Sequence, residues 1–382
     1  DGFFGHGEIF GDDSEIRPFT VAIAEEKVDK LKSDAAKLLK ALTLPENSFE
    51  KRLATFLESY EWQQHAHFIN TFKHFTTEVE GIRLHFVHVS LDSGDRAKEQ
   101  RVPILLLPEG VASFWNFFKI IPILSNPKRY GFDFGLKSAL VFDVVVTSYP
   151  GSLFSDPPSD EGPSKPELAR ILHKLMSDRL AYDEYVVYGQ GGLGTEMASL
   201  LSVLFPRSVT AAIVTDPTAP TGGIRRDLQA AVLPGDGLPT KLPSGSPAFP
   251  SDGSLLSAIR YFSAEWRRLS GSSGAKFDAQ VTIGELATSL ALFTLTETVE
   301  SSSELARRKV PEAFAEATST VPTCVLSSPE SPHHFSRSLL AHKYLNITKY
   351  ETLEKGGLLY SLRDSSKLAE WIFGYVEVTV MG

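Results

Sequence analysis

Hydrophobic positions along the chain recur with two periods, and the two take turns. From Glu25 to Leu44 the apolar residues Val28, Leu31, Ala35, Leu38, Leu39 and Leu42 keep to one face of a helix. A second helix is predicted over roughly Phe49–Tyr60, behind Pro45 and the capping candidate Ser48. Trp62–His74, dense in aromatics and histidine, reads as a helical or irregular connection, and Ile82–Phe86 alternates as a strand does. Val102–Leu107 and Val141–Thr147 are unbroken apolar runs of the kind found in parallel strands covered on both faces. Between them Phe114–Leu124 has a helical pattern. A capping box at Ser164 and Glu167 then opens a helix carrying Leu168, Ile171, Leu172, Leu175 and Met176. Val209–Thr215 and Val321–Ser327 are further strands, Ile347–Glu351 a weaker one, and Leu368–Tyr375 a closing helix. Alternating strand and helix predicts an α/β fold built on a doubly wound, mostly parallel sheet.

One stretch departs from this rhythm in an informative way. Tyr185–Tyr188 is apolar, breaks into Gly189, Gly191, Gly192 and Gly194, and runs on into a helical segment, Thr195–Phe205, closed by Pro206. Strand, tight turn and helix make a nucleophile elbow, in which small residues flank one reactive side chain held above the sheet. Here the apex is glycine in either register. A phosphate-cradling reading of the same glycines is disfavoured, because no acidic residue follows a second strand at the expected distance. From Thr221 to Phe277 the chain is rich in Pro, Gly and Ser, with only Leu255–Leu269 helical. Such an insertion reads as a lid, a binding loop or a disordered segment. The expected division is therefore a leader, meander and first strand over 1–90, core over 91–220, lid over 221–310, and core again over 311–382.

Composition narrows the function classes. With 382 residues, 42% of them hydrophobic, the chain can bury a large core. A net charge of −9 with no basic block argues against a nucleic-acid partner. The single cysteine, Cys324, excludes an intrachain disulfide or a thiolate metal site and favours a reducing compartment. No apolar run spans a bilayer: Val281–Val299 contains Glu285 and Glu297 and reads as a buried helix. The expected location is the cytoplasm, although a start at Asp1 leaves room for a removed signal peptide. No cofactor and no metal are expected. The histidines at 65, 67, 74, 85 and 88 lack ligand spacing or an acid partner.

Several segments together carry a resemblance. Ile16–Phe19 (IRPF), the block Trp62–Val89, Leu105–Leu124, Phe142–Pro158 and Ala169–Val187 resemble the microsomal-type epoxide hydrolases of the α/β-hydrolase superfamily, in order and at compatible spacing. The resemblance implies an α/β-hydrolase fold with an N-terminal meander and a lid. It also implies a hydrolase whose elbow aspartate attacks an epoxide, a His–acid pair that activates water, and lid tyrosines that bind the epoxide oxygen. Carried over position by position, those parts are largely missing. The elbow motif GGDWG is matched by Gln190–Gly194, with Gly192 (or Gly191) at the aspartate. The histidine stretch GGHF is matched by Gly356–Leu359, with Leu358 at the histidine. The HGWPGS rim loop is matched by Pro108–Ser113, with Pro108 and Glu109 in place of His-Gly. Glu330 is the surviving candidate for the triad acid, or a partner for His333 or His334. Phe293 falls in a segment that bears a tyrosine in the family, and Tyr261 is the tyrosine of the insertion.

Covalent epoxide hydrolysis is therefore expected to be lost. Glu109 follows a core strand, and a carboxyl half-buried beside Val111 and Phe114 would have a raised pKa. A solvated loop glutamate fits the sequence equally. Asp216 follows another core strand, where an Asp-Pro turn starter is the simpler explanation and an acid–base role the sharper one. Glu196 is explained by a helix N-terminus. Two classes remain open. The first is non-covalent isomerisation, cyclisation or rearrangement of a hydrophobic small molecule, with Glu109 and Asp216 as acid and base and Gly110, Phe114, Leu193, Tyr261 and Phe293 lining the pocket. The second is a non-catalytic binder of a ligand or protein partner. A homo-oligomer is compatible with either.

Overall fold

In the computed structural model, residues 2–41, 45, 48–91, 99–159, 162–218, 248–250, 252–270, 281–329, 331, 333–354 and 359–382 are described. They form one nine-stranded sheet in the order β1-β2-β3-β5-β4-β6-β7-β8-β9. The strands are β1 (Arg17–Phe19), β2 (His74–Val79), β3 (Ile82–Val89), β4 (Gln100–Leu107), β5 (Leu140–Thr147), β6 (Tyr185–Gln190), β7 (Val209–Thr215), β8 (Thr323–Ser327) and β9 (Ile347–Thr352). The β1–β2–β3–β5 contacts are antiparallel, and β4 to β9 pair in parallel. All eight residues of β5 are buried, as expected of a run sandwiched between two layers.

Helices cover both faces. The N-terminal meander supplies α1 (Glu25–Ala41), α2 (Phe49–Glu58) and α3 (Trp62–Ile69). The core supplies α4 (Ile120–Ser125), α5 (Lys165–Lys174) and α6 (Gly191–Leu204). The insertion supplies α7 (Leu255–Ser270), α8 (Ile283–Leu295) and α9 (Val299–Arg307), and α10 (Ser365–Val380) closes the chain. The caps behave as their chemistry requires. Ser48 Oγ accepts from Lys51 N at 3.2 Å, and Glu167 Oε2 accepts from Ser164 N at 2.8 Å. The apolar run from Val281 is indeed a buried helix, and no described helix is long and apolar enough to cross a membrane.

Four details differ from the sequence pattern. Phe114–Leu124 is two pieces, a 3₁₀ turn (Phe114–Phe117) and α4, because Pro122 supplies no N–H and cannot sit inside one continuous helix. Strands β1 and β2 carry no strong alternation and emerge only through pairing, β2 with β3 and β1 with β2. The elbow helix begins at Gly191, so the glycines form its first turn. The Gly- and Asp-rich leader, which shows no periodicity, is tethered: Asp12 accepts from the amides of Glu80 and Gly81 at 2.8 Å each, and Arg179 pairs with it at 2.9 Å.

The strand order sets the location of the site. Chain from β4 goes out to β5 on one side and returns to β6 on the other, so the carboxyl ends of β4 and β6 flank a topological switch point. The elbow crosses that point with no room to spare. A Cβ on Gly194 would lie 2.3 Å from Leu107 O, and one on Gly189 would lie 2.4 Å from Gly194 O. Gly194→Ala should therefore destabilise the fold by about 1–3 kcal/mol, read from the urea midpoint, because the obstacle is backbone that cannot step aside.

Candidate functional site

Two loops meet at the switch point. One leaves β4 as Pro108-Glu109-Gly110, and the other is the start of α6. The left-handed turn of the elbow falls on Gly191, at φ 69°. Gly192, the next residue, has its missing side chain aimed at the rim loop: a Cβ there would stand 3.1 Å from Glu109 Oε2. Both residues named for the apex are thus part of the turn, one by backbone and one by direction.

Glu109 is 3% exposed. Its Oε1 accepts from Gly110 N at 2.8 Å and its Oε2 accepts from Leu193 N at 2.9 Å. The amide of the residue after an elbow apex is one of the donors that line an oxyanion hole. The carboxyl of Glu109 therefore stands in the space beside the missing Gly192 side chain and takes up the Leu193 amide. Burial raises its pKa above the usual carboxylate range, the two amides pull it back, Glu196 adds to the rise and Arg268 opposes it. A buried carboxyl matches one of the two alternatives left open by the sequence, and the solvated loop glutamate is set aside.

The rim loop is braced from below. Tyr149 Oη donates to Pro108 O at 3.0 Å, and burial together with the nearby Glu109 raises the Tyr149 pKa. Above it lies α7, which presents Tyr261, Glu265 and Arg268 at successive turns of one face. Glu265 is 1% exposed and holds Arg268 through two bonds of 2.9 Å, Nε to Oε1 and Nη2 to Oε2. Burial pushes the pKa of the Tyr261 hydroxyl up to about 12, the Ser303 hydroxyl beside it opposes the rise, and Glu265 and Glu109 add to it. His333, after β8, is lowered to about 4 by burial and by the charge of Arg268.

The other residues singled out in the sequence divide. Asp216 ends β7 in the left-handed region at φ 51°, 2% exposed, and its Oδ1 accepts from Ser328 N at 2.7 Å, which clamps the ends of β7 and β8. Gly110 is pressed against α9, where a Cβ would meet Ala306 Cβ at 2.4 Å. Leu193 is buried beside Glu109. Phe114 instead turns its ring to His74 and His85, with centroids 5.2 and 5.8 Å away, and Phe293 packs on Phe262 at 5.3 Å. Glu330, Leu358 and positions 221–247 of the insertion lie outside the described residues. Among the described residues no group of three or more His, Cys, Asp or Glu side chains is placed to hold a metal. Sequence reading missed Tyr149, Glu265 and Arg268. A signal was present in the last two, since two charged residues on the buried face of a lid helix call for a partner.

Comparison with known proteins places this geometry. Residues 16–117 match the family model "Epoxide hydrolase N terminus". Epoxide hydrolase 1 of Sus scrofa is 31% identical over 223 residues, 55% of this chain and 47% of the relative. Juvenile hormone epoxide hydrolase 2 of Ctenocephalides felis is 30% identical over 219 residues, 55% of this chain and 44% of the relative. The chain thus spans about half the length of these curated relatives. The crystal structure of juvenile hormone epoxide hydrolase from Bombyx mori superposes with a TM-score of 0.85 at 20% identity, covering 100% of this chain and 98% of that one. The epoxide hydrolase of Aspergillus niger gives 0.69 at 23% identity over 96% and 97%.

A carboxyl whose folded pKa is raised contributes most stability below the pKa of the unfolded chain and loses it as pH rises through the folded value. The difference in unfolding free energy between the wild type and Glu109→Gln should therefore fall as pH rises from about 4 through the raised value. Paired urea titrations across that range measure it, and a flat difference would show that Glu109 feels no net burial.

Proposed function

We propose, for a chain that belongs to the epoxide hydrolase family of the α/β-hydrolase superfamily, that it converts a hydrophobic small molecule without forming an ester to the protein, with the Glu109 carboxyl as general acid and base. The observation that carries this reading is the position of that carboxyl. It stands where an elbow side chain would project, beside Gly192, and is supplied by the neighbouring loop. Glycine at 191 and 192 offers no attacking atom. A carboxyl in Glu109's position still offers a proton, and burial favours its protonated form.

The chemistry then balances within the substrate. Glu109 delivers its proton to a substrate oxygen as a carbon–oxygen bond opens. An internal hydroxyl or carbon–hydrogen bond closes the new ring or double bond and releases a proton, which returns to Glu109 or passes to Asp216. Substrate and product are isomers, and neither water nor an oxidant is consumed. Arg268 on α7 faces Glu109 and limits how far its proton affinity rises, and the hydroxyl of Tyr261, on the same helix and beside Ser303, would hold an oxygen of the bound molecule. Asp216 is the less strongly supported partner, because one of its oxygens is committed to Ser328 N.

A second reading has its own observation: both oxygens of Glu109 are already satisfied by amides, which suits a plug in a binding protein. Turnover separates the two. Incubation of the protein with the apolar molecule extracted from it after purification should yield a product of unchanged mass. Glu109→Gln should slow that reaction by about 10²–10⁴-fold, the range of a lost general acid. Recovery of the molecule unaltered after long incubation would establish the binder. With styrene oxide as probe, intact-mass spectrometry of the wild type should show no adduct; an ester on any side chain would sink the non-covalent scheme.

A further inference from the structure

Behind the rim loop, on the side facing the meander, two histidines are buried against each other. His74 Nδ1 and His85 Nε2 are 2.9 Å apart, their rings stacked with centroids at 5.2 Å. His74 Nε2 lies 2.9 Å from Ile69 O at the end of α3, and His85 Nδ1 lies 2.9 Å from Ser148 Oγ after β5. The rest of the shell is aromatic or hydroxylic. Phe114 faces both rings, Phe19 and Phe154 face His85, and Ser155 Oγ accepts from His85 N at 2.9 Å.

The proton positions follow from this geometry. A carbonyl only accepts, so His74 Nε2 carries a hydrogen. In a neutral ring His74 Nδ1 is then an acceptor, His85 Nε2 must donate to it, and His85 Nδ1 is left to accept from the Ser148 hydroxyl. Every donor in the row points the same way, from Ser148 to Ile69. A proton taken up on His74 would turn two of the three bonds: His74 Nδ1 would donate to His85 and His85 Nδ1 would donate to Ser148, while His74 Nε2 keeps its bond to Ile69 O. Among the described residues no carboxylate is bonded to either ring to stabilise that charge, and the ionisable neighbour of each ring is the other ring of the pair.

The row ends at Ser148, in the loop after β5, next to the residue that braces the rim loop. Ser148 N donates to His85 O at 2.9 Å, and the next residue is Tyr149, whose hydroxyl holds the carbonyl of Pro108, next to Glu109. We infer that His74, His85 and Ser148 form a one-direction hydrogen-bond relay that positions the loop carrying Glu109, and that acid reverses the relay and loosens the loop. His74, His85, Ser148 and Tyr149 are positioning residues, since none reaches the carboxyl itself. The inference rests on the proposed function only for what the positioned carboxyl goes on to do.

The sign of the pH effect is fixed. Burial lowers both imidazole pKa values below the ordinary 6.5, so the unfolded chain takes up protons first as pH falls. The stabilisation is complete above pH ~6.5 and is lost as pH drops toward the depressed folded values.

Long-range proton–nitrogen NMR of histidine-labelled protein should show both rings neutral at pH 7.5 with hydrogen on Nε2. A ring protonated at that pH, or hydrogen on Nδ1 of either ring, would overturn the relay. Ser148→Ala and Tyr149→Phe should each speed hydrogen exchange of the Gly110 and Leu193 amides at least tenfold at pH 7.5, with the far-UV circular dichroism unchanged. Tyr149→Phe should leave the histidine signals as they are, which separates loss of the strut from loss of the relay. In the wild type the same exchange, corrected for its intrinsic pH dependence, should rise as the pair takes up its proton. Exchange that is unchanged in Ser148→Ala, or insensitive to that protonation, would refute the positioning role. These readouts do not involve turnover, so a catalytically idle Glu109 would leave them intact.

Discussion

A carboxyl taken out of water needs its lone pairs satisfied, and around Glu109 two backbone amides meet that demand. Much of the site is arranged by this requirement. Gly110 must follow Glu109 at once, both to offer its amide and to fit against Ala306. The first turn of α6 must begin at Gly191, because only then does the amide of Leu193 point at the rim loop. Glycine at 192 leaves the space into which the carboxyl fits. Glu109 at the rim and glycine at the elbow, far apart along the chain, are two sides of one packing solution.

The charges around Glu109 are graded by burial. Arg268 is the cation facing it, and the fully buried Glu265 holds Arg268 with both oxygens. The guanidinium is therefore a fixed charge that acts at a distance, leaving Glu109 easier to protonate than a directly paired carboxylate would be. Lys165, itself buried, is spent on Glu196 behind the elbow helix, so the acidic residue at that helix start has a structural role. Helix α7 thus contributes to the electrostatics of the site.

The meander is more than a cover over one sheet face. Strands β1 and β2 extend the sheet, and the His74–His85 contact joins α3, β2, β3 and the loop after β5 in one row of bonds. Histidine suits that place because a neutral ring both donates and accepts, passing a bond along where an apolar residue would end it. The price is sensitivity to acid, since the same ring can be charged.

The sequence by itself determined the order of elements, the parallel core, the insertion between β7 and β8, the elbow and its lack of a side chain. Those features are local: an apolar run, a capping box or a cluster of glycines states its conformation within a few residues. The burial of Glu109 was only one of two readings there, because exposure depends on what packs over a loop. Strands β1 and β2 were invisible for the same reason, being strands only through their pairing, β2 with β3 and β1 with β2. Phe114 was assigned to the pocket from its place in the chain, yet its ring turns to the histidine pair. The direction of the relay, the clamp at Asp216 and the Glu265–Arg268 pair were decided by contacts between residues far apart in sequence, which no local pattern records.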